Sequence, residues 1–399
     1  MPFDFDRPMD RRHSDSTKWR TYDEDVLPLW TADMDFAVPP PVIDALHARV
    51  AHGVFGYCVH PPELRDLIAE RMWRLYQWRV RPDEVVLQTG VLKAFQLVAS
   101  LAAGRTDGIL VQPPVYPPIL GAPQHNGSVH QEAPLVGRPD GRYEIDFDAF
   151  EAAITASTRV FILCNPHNPV GRVFRRGELE RLAEVCLRHD VLICSDEIHS
   201  DLVYPGAGHL PIASLSPEVS RRTVTLMAPS KTFNIPGLRC SFAIVQAPDL
   251  RRRVAGDHGG DFADVNNLGL VAATAAYRDG QPWLDDVLRY LESNRTIVVD
   301  FVRRELTGVA TVAPEATYLA WLDFRQSGVE GDPYEFMLQH ARVALSPGPS
   351  FGTGGGGFAR LNFACPRATL TEALTRMKQA MEGAASDVRG RNPLHSGSR

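Results

Sequence analysis

Three polar residues each follow a short apolar run at intervals that suit one reaction centre. RVFILC (159–164) leads into Asn165-Pro166-His167-Asn168-Pro169-Val170-Gly171, and VLICS (191–195) leads into Asp196-Glu197-Ile198-His199. TVTLM (223–227) leads into Ala228-Pro229-Ser230-Lys231. Taken singly, each has an ordinary reading. Two Asn-Pro steps and a glycine make an irregular turn, an acid after a strand caps the next helix, and a lysine snorkels to the surface. Taken together, Asn168, Asp196 and Lys231 stand 28 and 35 residues apart, each at the end of an expected strand. Sheets of this kind present ligands at the C-terminal ends of their strands, so the three side chains converge on one cleft.

An amine, a carboxylate and a neutral amide in one cleft form the set that pyridoxal 5′-phosphate demands. The amine condenses with the aldehyde, the carboxylate keeps the pyridine nitrogen protonated, and the amide donates to the phenolic oxygen. The phosphate needs backbone N–H groups at a helix N-terminus. Thr89-Gly90-Val91-Leu92, between strand 84–88 and the following helix, forms such a turn, and its glycine lets the backbone approach closely.

The elements that position these residues follow from periodicity. EVVLQ (84–88), GILVQ (108–112) and SFAIV (241–245) join the three runs above as buried strands of a largely parallel sheet. Leu179, Leu182, Ala183, Val185 and Cys186 recur at helical spacing across 177–190, and Leu64, Leu67, Ile68, Met72 and Leu75 form an earlier stripe after Pro61-Pro62. Strand–helix alternation implies a doubly wound α/β domain, placed at 45–282. A long helical stretch (283–306), the strands TYLAWLDF and FARLNFA, and a helix over 369–383 imply a smaller α+β domain at 283–385. Residues 1–44 are expected to fold against it, and the tail 386–399 reads as disordered.

Composition excludes several classes. The 399 residues are 44% hydrophobic and 23% charged, as in an ordinary folded protein of more than one domain. The formal net charge of −6 argues against nucleic-acid or anionic-membrane binding, and Arg11-Arg12 and Arg251-Arg252-Arg253 read as solvated surface. Six scattered cysteines suit reduced thiols in a cytoplasm. No HExxH supports a metal, no signal peptide opens the chain, and no apolar run reaches the length of a membrane span.

With these residues in view, the sequence resembles fold-type I pyridoxal-phosphate enzymes of the class I/II aminotransferase superfamily. It is most similar to the MalY/PatB-type cystathionine β-lyases, also called cysteine-S-conjugate β-lyases. The resemblance runs from Trp19 to about residue 383 through LPLWTADMDF (27–36), GVFGY (53–57), VQPPVYPPI (111–119), NPHNPVGRVF (165–174), SDEIHSDL (195–202), APSKTFNIPGL (228–238) and RLNFACP (360–366). The Asn…Asp…Lys set specifies only the superfamily, whereas DMDF, PPVYPP and DEIH point to the lyase branch.

The resemblance implies a mostly parallel seven-stranded sheet and a homodimer with active sites at the subunit interface. It implies that Lys231 bonds to the cofactor and moves the Cα proton, that Asp196 pairs with the ring nitrogen, and that Asn168 binds the ring oxygen. Tyr116 stacks on the ring, and His199 stands where aspartate-type aminotransferases carry a tyrosine. Gly90, Val91, Leu92, Ser230 and Arg239 surround the phosphate, Tyr57 reaches the neighbouring subunit's phosphate, and Arg360 clamps the substrate carboxylate as a planar guanidinium can. Asn168 and Tyr57 also border the substrate. The sequence departs from the lyase pattern at Thr89, Leu92, Lys93 and Arg239. Gly352–Gly357 is expected to be a mobile flap beside Arg360.

The implied activity is β-elimination from L-cysteine S-conjugates to thiol, pyruvate and ammonia. The rivals are an aminotransferase, an offshoot acting on a bulky S-cysteine conjugate by elimination or by decarboxylative or oxidative deamination, and a non-catalytic regulatory protein on the same fold.

Overall fold

A computed structural model describes residues 3–256 and 265–390, with side chains through residue 384. Its strands are, in chain order, β1 (Leu27–Pro28), β2 (Val85–Gln88), β3 (Gly108–Val111), β4 (Val129–Glu132), β5 (Val136–Gly137), β6 (Tyr143–Glu144) and β7 (Thr158–Cys164). There follow β8 (Leu192–Asp196), β9 (Thr223–Met227), β10 (Ser241–Ile244), β11 (Leu319–Asp323), β12 (Val343–Ala344), β13 (Ser346–Pro347) and β14 (Phe358–Asn362).

Seven of these form one sheet in the order β2-β10-β9-β8-β7-β3-β4. The strands β9, β8, β7, β3 and β4 pair in parallel, whereas β10 runs antiparallel to both its neighbours. The six apolar runs read from the sequence are all present. The seventh strand, β4, spells Val-His-Gln-Glu and is partly exposed at the sheet edge, so it carried no apolar signal.

Both faces of the sheet are covered, which is why β7 reads as a continuous apolar run. Val160, Ile162 and Cys164 pack with Phe95, Val98 and Ala99 of helix Val91–Ala102. Phe161 and Leu163 point the other way, into Leu179, Leu182 and Cys186 of helix Arg176–Arg188. Each such fully buried aliphatic or aromatic side chain contributes about 1.5–3 kcal/mol. The register sets Asp196 beside Cys164 on one strand and Leu226 on the other, so the polar ends of β7, β8 and β9 share one edge.

A second sheet, β11-β14-β13, is antiparallel throughout and shares a core with helices Gln281–Glu305 and Arg367–Gly390. The latter helix continues into the stretch that the sequence assigns to an irregular tail; residues 391–399 of that tail lie outside the described residues. Phe5, Leu29, Met34 and Phe36 are buried in this same core, and β1 pairs in parallel with β12.

The N-terminal basic pair is not solvated surface. Arg11 donates to Asp33 at 2.8 Å and to Asp35 at 2.6 Å, while Arg12 donates to the Val26 carbonyl and lies over the Trp19 ring. Lys18, only 1% exposed, donates to Asp35 at 2.8 Å, and the Trp19 indole N–H donates to the same carboxylate at 2.7 Å. Periodicity misses this cluster because its members are polar and belong to no long element. In the second basic run Arg252 and Arg253 are exposed, as expected.

Removing one member of a buried pair leaves an uncompensated charge. Asp35→Ala should therefore lower the unfolding free energy of the full chain by about 3–5 kcal/mol in urea titrations. Asp249→Ala, which removes the exposed partner of Arg252, should leave the midpoint nearly unchanged.

Candidate active site

The C-terminal ends of the parallel strands open into a cavity of about 410 Å³. Lys231, Asp196, Asn168, Tyr116, His199, Ser230, Arg239 and Arg360 all line it, together with Gly90, Val91 and Leu92. Of the candidate residues, Tyr57 alone is elsewhere: it is fully exposed, on a segment whose Val54, Phe55 and Val59 side chains are also exposed.

The two asparagines of the turn after β7 divide its tasks. Asn165 is buried and its Oδ1 accepts from the Phe174 N–H at 3.0 Å, which closes the turn. Asn168 faces the cavity, and its Oδ1 accepts from Arg360 at 2.9 Å. With its oxygen engaged there, the amide N–H groups are the end of Asn168 left to donate to a ligand.

Asp196 closes a turn rather than capping a helix, and it also faces the cavity. Its Oδ1 accepts from the Ile198 N–H at 3.2 Å, and no cation among the described residues forms an ion pair with it. Burial pushes its carboxyl up to about 7, with the neighbouring Glu197 charge acting the same way and Lys231 opposing. A ring N–H at this carboxylate would supply the missing partner.

Lys231 does not snorkel to bulk water. It sits in the short helix Pro229–Thr232 after β9, and its Nζ donates to the Ala32 carbonyl at 2.5 Å. Burial pulls its amine down to about 8, with Arg360 acting the same way and Asp33 and Asp196 opposing. An amine in this state is neutral often enough near physiological pH to act as nucleophile or base.

Arg360, on β14, is 5% exposed and pairs with no carboxylate among the described residues. It donates to Asn168, to the Trp30 carbonyl at 2.8 Å and to Ser346 Oγ at 3.0 Å, and it lies over the Phe351 ring. Its buried Nε has no hydrogen-bond partner. Burial pulls the guanidinium down to about 10. A cation held this way without an anion is suited to a carboxylate arriving with the substrate. His199 Nδ1 is likewise buried without a partner, and burial holds its ring neutral, pulling it down to about 3.

Gly90 precedes helix Val91–Ala102 with φ +155° and ψ 146°, a region essentially restricted to glycine. Open space surrounds the place where a Cβ would stand. The first-turn N–H groups of this helix border the cavity with Arg239 and Ser230, a cradle for a phosphate. The residues present therefore fit pyridoxal 5′-phosphate: an unpaired acid for the ring nitrogen, an amine for the aldehyde and a glycine-led helix end for the phosphate.

The glycine run, expected as a mobile flap, forms a turn tied at several points, with Thr353, Gly354 and Gly356 exposed. Gly355 N donates to Gly352 O at 3.0 Å, Thr353 Oγ1 donates to Glu132, and a Cβ on Gly355 would overlap the Gly348 carbonyl. Sequence reading also missed Thr31 and Ala32 in the cavity wall and Asn362, whose Nδ2 donates to the Thr31 and Asp33 carbonyls at 2.6 and 2.7 Å. Asn362 stands two residues after Arg360 on a strand, and that period of two was the available signal.

Comparisons with known proteins identify the family. The family model described as aminotransferase class I and II matches residues 24–377. Cystathionine beta-lyase PatB of Bacillus subtilis (strain 168) is 40% identical over 387 residues, which span 94% of this chain and 99% of that protein. The crystal structure of OvoB superposes with a TM-score of 0.90 at 44% identity, covering 95% of this chain and 99% of its own. Cystalysin from Treponema denticola, which contains a pyridoxal 5′-phosphate cofactor, superposes with a TM-score of 0.91 at 32% identity, covering 96% and 100%.

Gly90→Ala tests the cradle. Strain at this φ and ψ and a methyl group at the phosphate should weaken pyridoxal phosphate binding on the order of tenfold or more in spectrophotometric titration, with the fold retained.

Proposed function

Because the chain belongs to the class I and II aminotransferase family, in the branch of the PatB-type cystathionine β-lyases, we propose that it is a pyridoxal 5′-phosphate-dependent carbon–sulfur β-lyase. It cleaves the Cβ–S bond of L-cysteine S-conjugates and, with one water consumed in hydrolysis of the eliminated product, gives thiol, pyruvate and ammonia. The observation that carries this is the cavity itself: an unpaired buried arginine, an unpaired buried acid and a lysine whose amine burial pulls down to about 8, around one space.

Bound there, the cofactor supplies an aldehyde for amines and a conjugated ring that accepts charge from Cα. The chain supplies the rest. Asp196 holds the proton on the ring nitrogen, and Asn168 donates its amide to the ring oxygen. Tyr116 stacks on the ring, and the first turn of helix Val91–Ala102 with Ser230 and Arg239 binds the phosphate. Arg360 orients the substrate by its α-carboxylate, which fixes the angle of the Cα–H bond. Lys231 Nζ takes the Cα proton. Elimination then requires a leaving group stable as an anion at Cβ, and a thiol with a pKa of about 8.5 meets that requirement where an alkyl group does not.

The same proposal includes a homodimer. Tyr57 lies outside its own cavity, and the exposed Val54, Phe55, Tyr57 and Val59 form an apolar surface of the kind a partner covers. In that assembly Tyr57 donates to the partner's phosphate. The division into an N-terminal segment (1–44), a large domain (45–282) and a small domain (283–385) is supported by the two separate sheets, whose cores meet where Leu202, Tyr204 and Phe233 pack with the small sheet. Among the described residues no helix is long and apolar enough to cross a membrane.

An L-cysteine S-conjugate offered without a 2-oxo acid should yield thiol, pyruvate and ammonia in equal amounts, while alanine and leucine yield none. Lys231→Ala should abolish turnover and the borohydride-fixed cofactor on that peptide, and Asp196→Asn should keep the cofactor but lose turnover. A requirement for a 2-oxo acid, with no thiol released, would replace the lyase by an aminotransferase.

Sedimentation should show a dimer in solution. Tyr57→Phe should weaken cofactor retention several-fold without dissociating it, through loss of one charge-assisted hydrogen bond.

A further inference from the structure

The Ala32 carbonyl oxygen gathers two donors from two distant parts of the chain. Lys231 Nζ approaches it from the end of β9 at 2.5 Å, and the Tyr318 hydroxyl approaches from the residue before β11 at 3.0 Å. A carbonyl oxygen has two lone pairs, so these two donors satisfy it. Tyr318 is 1% exposed, burial pushes its hydroxyl well above the ordinary tyrosine range, and it therefore acts as a donor.

We propose that Tyr318 is a positioning residue for the reaction: by donating to Ala32 O it fixes that carbonyl as the rest site of the freed Lys231 amine, with an amine N–H turned to the carbonyl and the lone pair turned to the cavity. This rests on the lyase reading above. Two observations separate the role from ordinary packing.

The first is redundancy. The segment around Ala32 is already tied on both sides by Asn362, which holds the carbonyls of Thr31 and Asp33. A third tie at Ala32 adds little to anchoring, but it does decide which lone pair of that carbonyl remains for Lys231. The second is strain. Thr317, a β-branched residue, adopts φ +72°, a region such residues rarely enter. Its conformation is held by Leu202 O, which accepts from the Thr317 N–H at 2.8 Å, and by the Tyr204 hydroxyl, which donates to Thr317 O at 2.6 Å. That turn aims the next side chain, Tyr318, at the carbonyl under the lysine, and backbone strain of this kind gathers at functional sites.

The hydroxyl also biases the charge of the amine. Its hydrogen points at the carbonyl and occupies acceptor capacity that an ammonium group would otherwise use. The charged and titratable groups facing Lys231 are Asp33 from the N-terminal segment, Asp196 from β8, His199 just beyond it and Arg360 from β14. Two of these favour the ammonium form and Arg360 opposes it, while His199 is neutral. Losing the hydroxyl should therefore raise the affinity of Lys231 for its proton.

The test uses the full chain freed of cofactor. Cyanate carbamylation of Lys231, followed across pH by peptide mass spectrometry, reads the neutral amine directly. The wild-type midpoint is expected near pH 8, and Tyr318→Phe should raise it by about half a pH unit to one pH unit, the worth of one neutral hydrogen bond. Thr223→Val removes a comparable buried hydroxyl-to-carbonyl bond, to Val219 O at the far end of β9, and should leave the midpoint in place. In the loaded enzyme, Tyr318→Phe should lower kcat on the order of tenfold with KM little changed, and its acidic limb should move up with the amine. An unmoved midpoint in Tyr318→Phe, or an equal shift in Thr223→Val, overturns the proposal. If wild-type chain releases no thiol, the lyase reading falls, whereas the carbamylation comparison still decides the role of Tyr318.

Discussion

Three ionisable side chains are desolvated around one cavity without forming ion pairs among themselves, and much of the architecture serves to hold them so. Burial moves each toward its neutral form: Asp196 up to about 7, Lys231 down to about 8 and Arg360 down to about 10. A fold that let Asp196 and Lys231 meet would relieve that cost and lose both groups to a salt bridge. Here Asp196 lies opposite Leu226, five residues before Lys231, and each side chain finds a backbone partner instead. The first satisfies an oxygen with a backbone N–H, and the second is drawn to a carbonyl in a different part of the chain.

That carbonyl belongs to a strap, residues 30–36, whose main-chain oxygens are gathered by side-chain donors from several elements. Arg360 takes Trp30 O, Asn362 takes Thr31 O and Asp33 O, Lys231 and Tyr318 take Ala32 O, and Asn234 takes Met34 O and Phe36 O. Beneath it, Asp33 and Asp35 are neutralised by Arg11 and Lys18. The strap lacks regular secondary structure, so these donors replace the ladder that a sheet would have provided. The acidic pair in DMDF thus acts as an anchor, and the charge of Asp33 reaches the site as a field on Lys231 and on Tyr318.

Legibility followed the same division. Strand ends were legible because apolar runs stop abruptly at Asn165, Asp196 and Lys231, and a parallel sheet collects such ends on one edge. The antiparallel course of β10 left no mark, since SFAIV is apolar whichever way it runs. The edge strand β4 was hidden by its polar residues. Tyr318 was hidden for another reason: its partner is a backbone oxygen of an alanine, and a carbonyl has no residue identity to read. Arg11 looked like solvated surface because its two carboxylate partners lie more than twenty residues away, across a loop that no periodicity predicts.

The contact between Arg360 and Asn168 joins the two halves of the site more tightly than either role requires. Arg360 comes from the small sheet and Asn168 from the turn after β7, yet one hydrogen bond of 2.9 Å links them. It fixes the amide of Asn168 with its oxygen toward the guanidinium and its N–H groups toward the cavity. A substrate carboxylate that engages the free Nε–H of Arg360 together with an Nη2–H would compete only with Trp30 O or Ser346 Oγ, because Asn168 is held by the other terminal nitrogen. The guanidinium is therefore joined to the donor on the cofactor ring and to the strap that holds the lysine. A simple clamp would sense only whether an α-carboxylate is present. In the proposed reaction this one would be joined by hydrogen bonds both to Asn168 and to the strap that holds the lysine, so that the clamp and the base share one network.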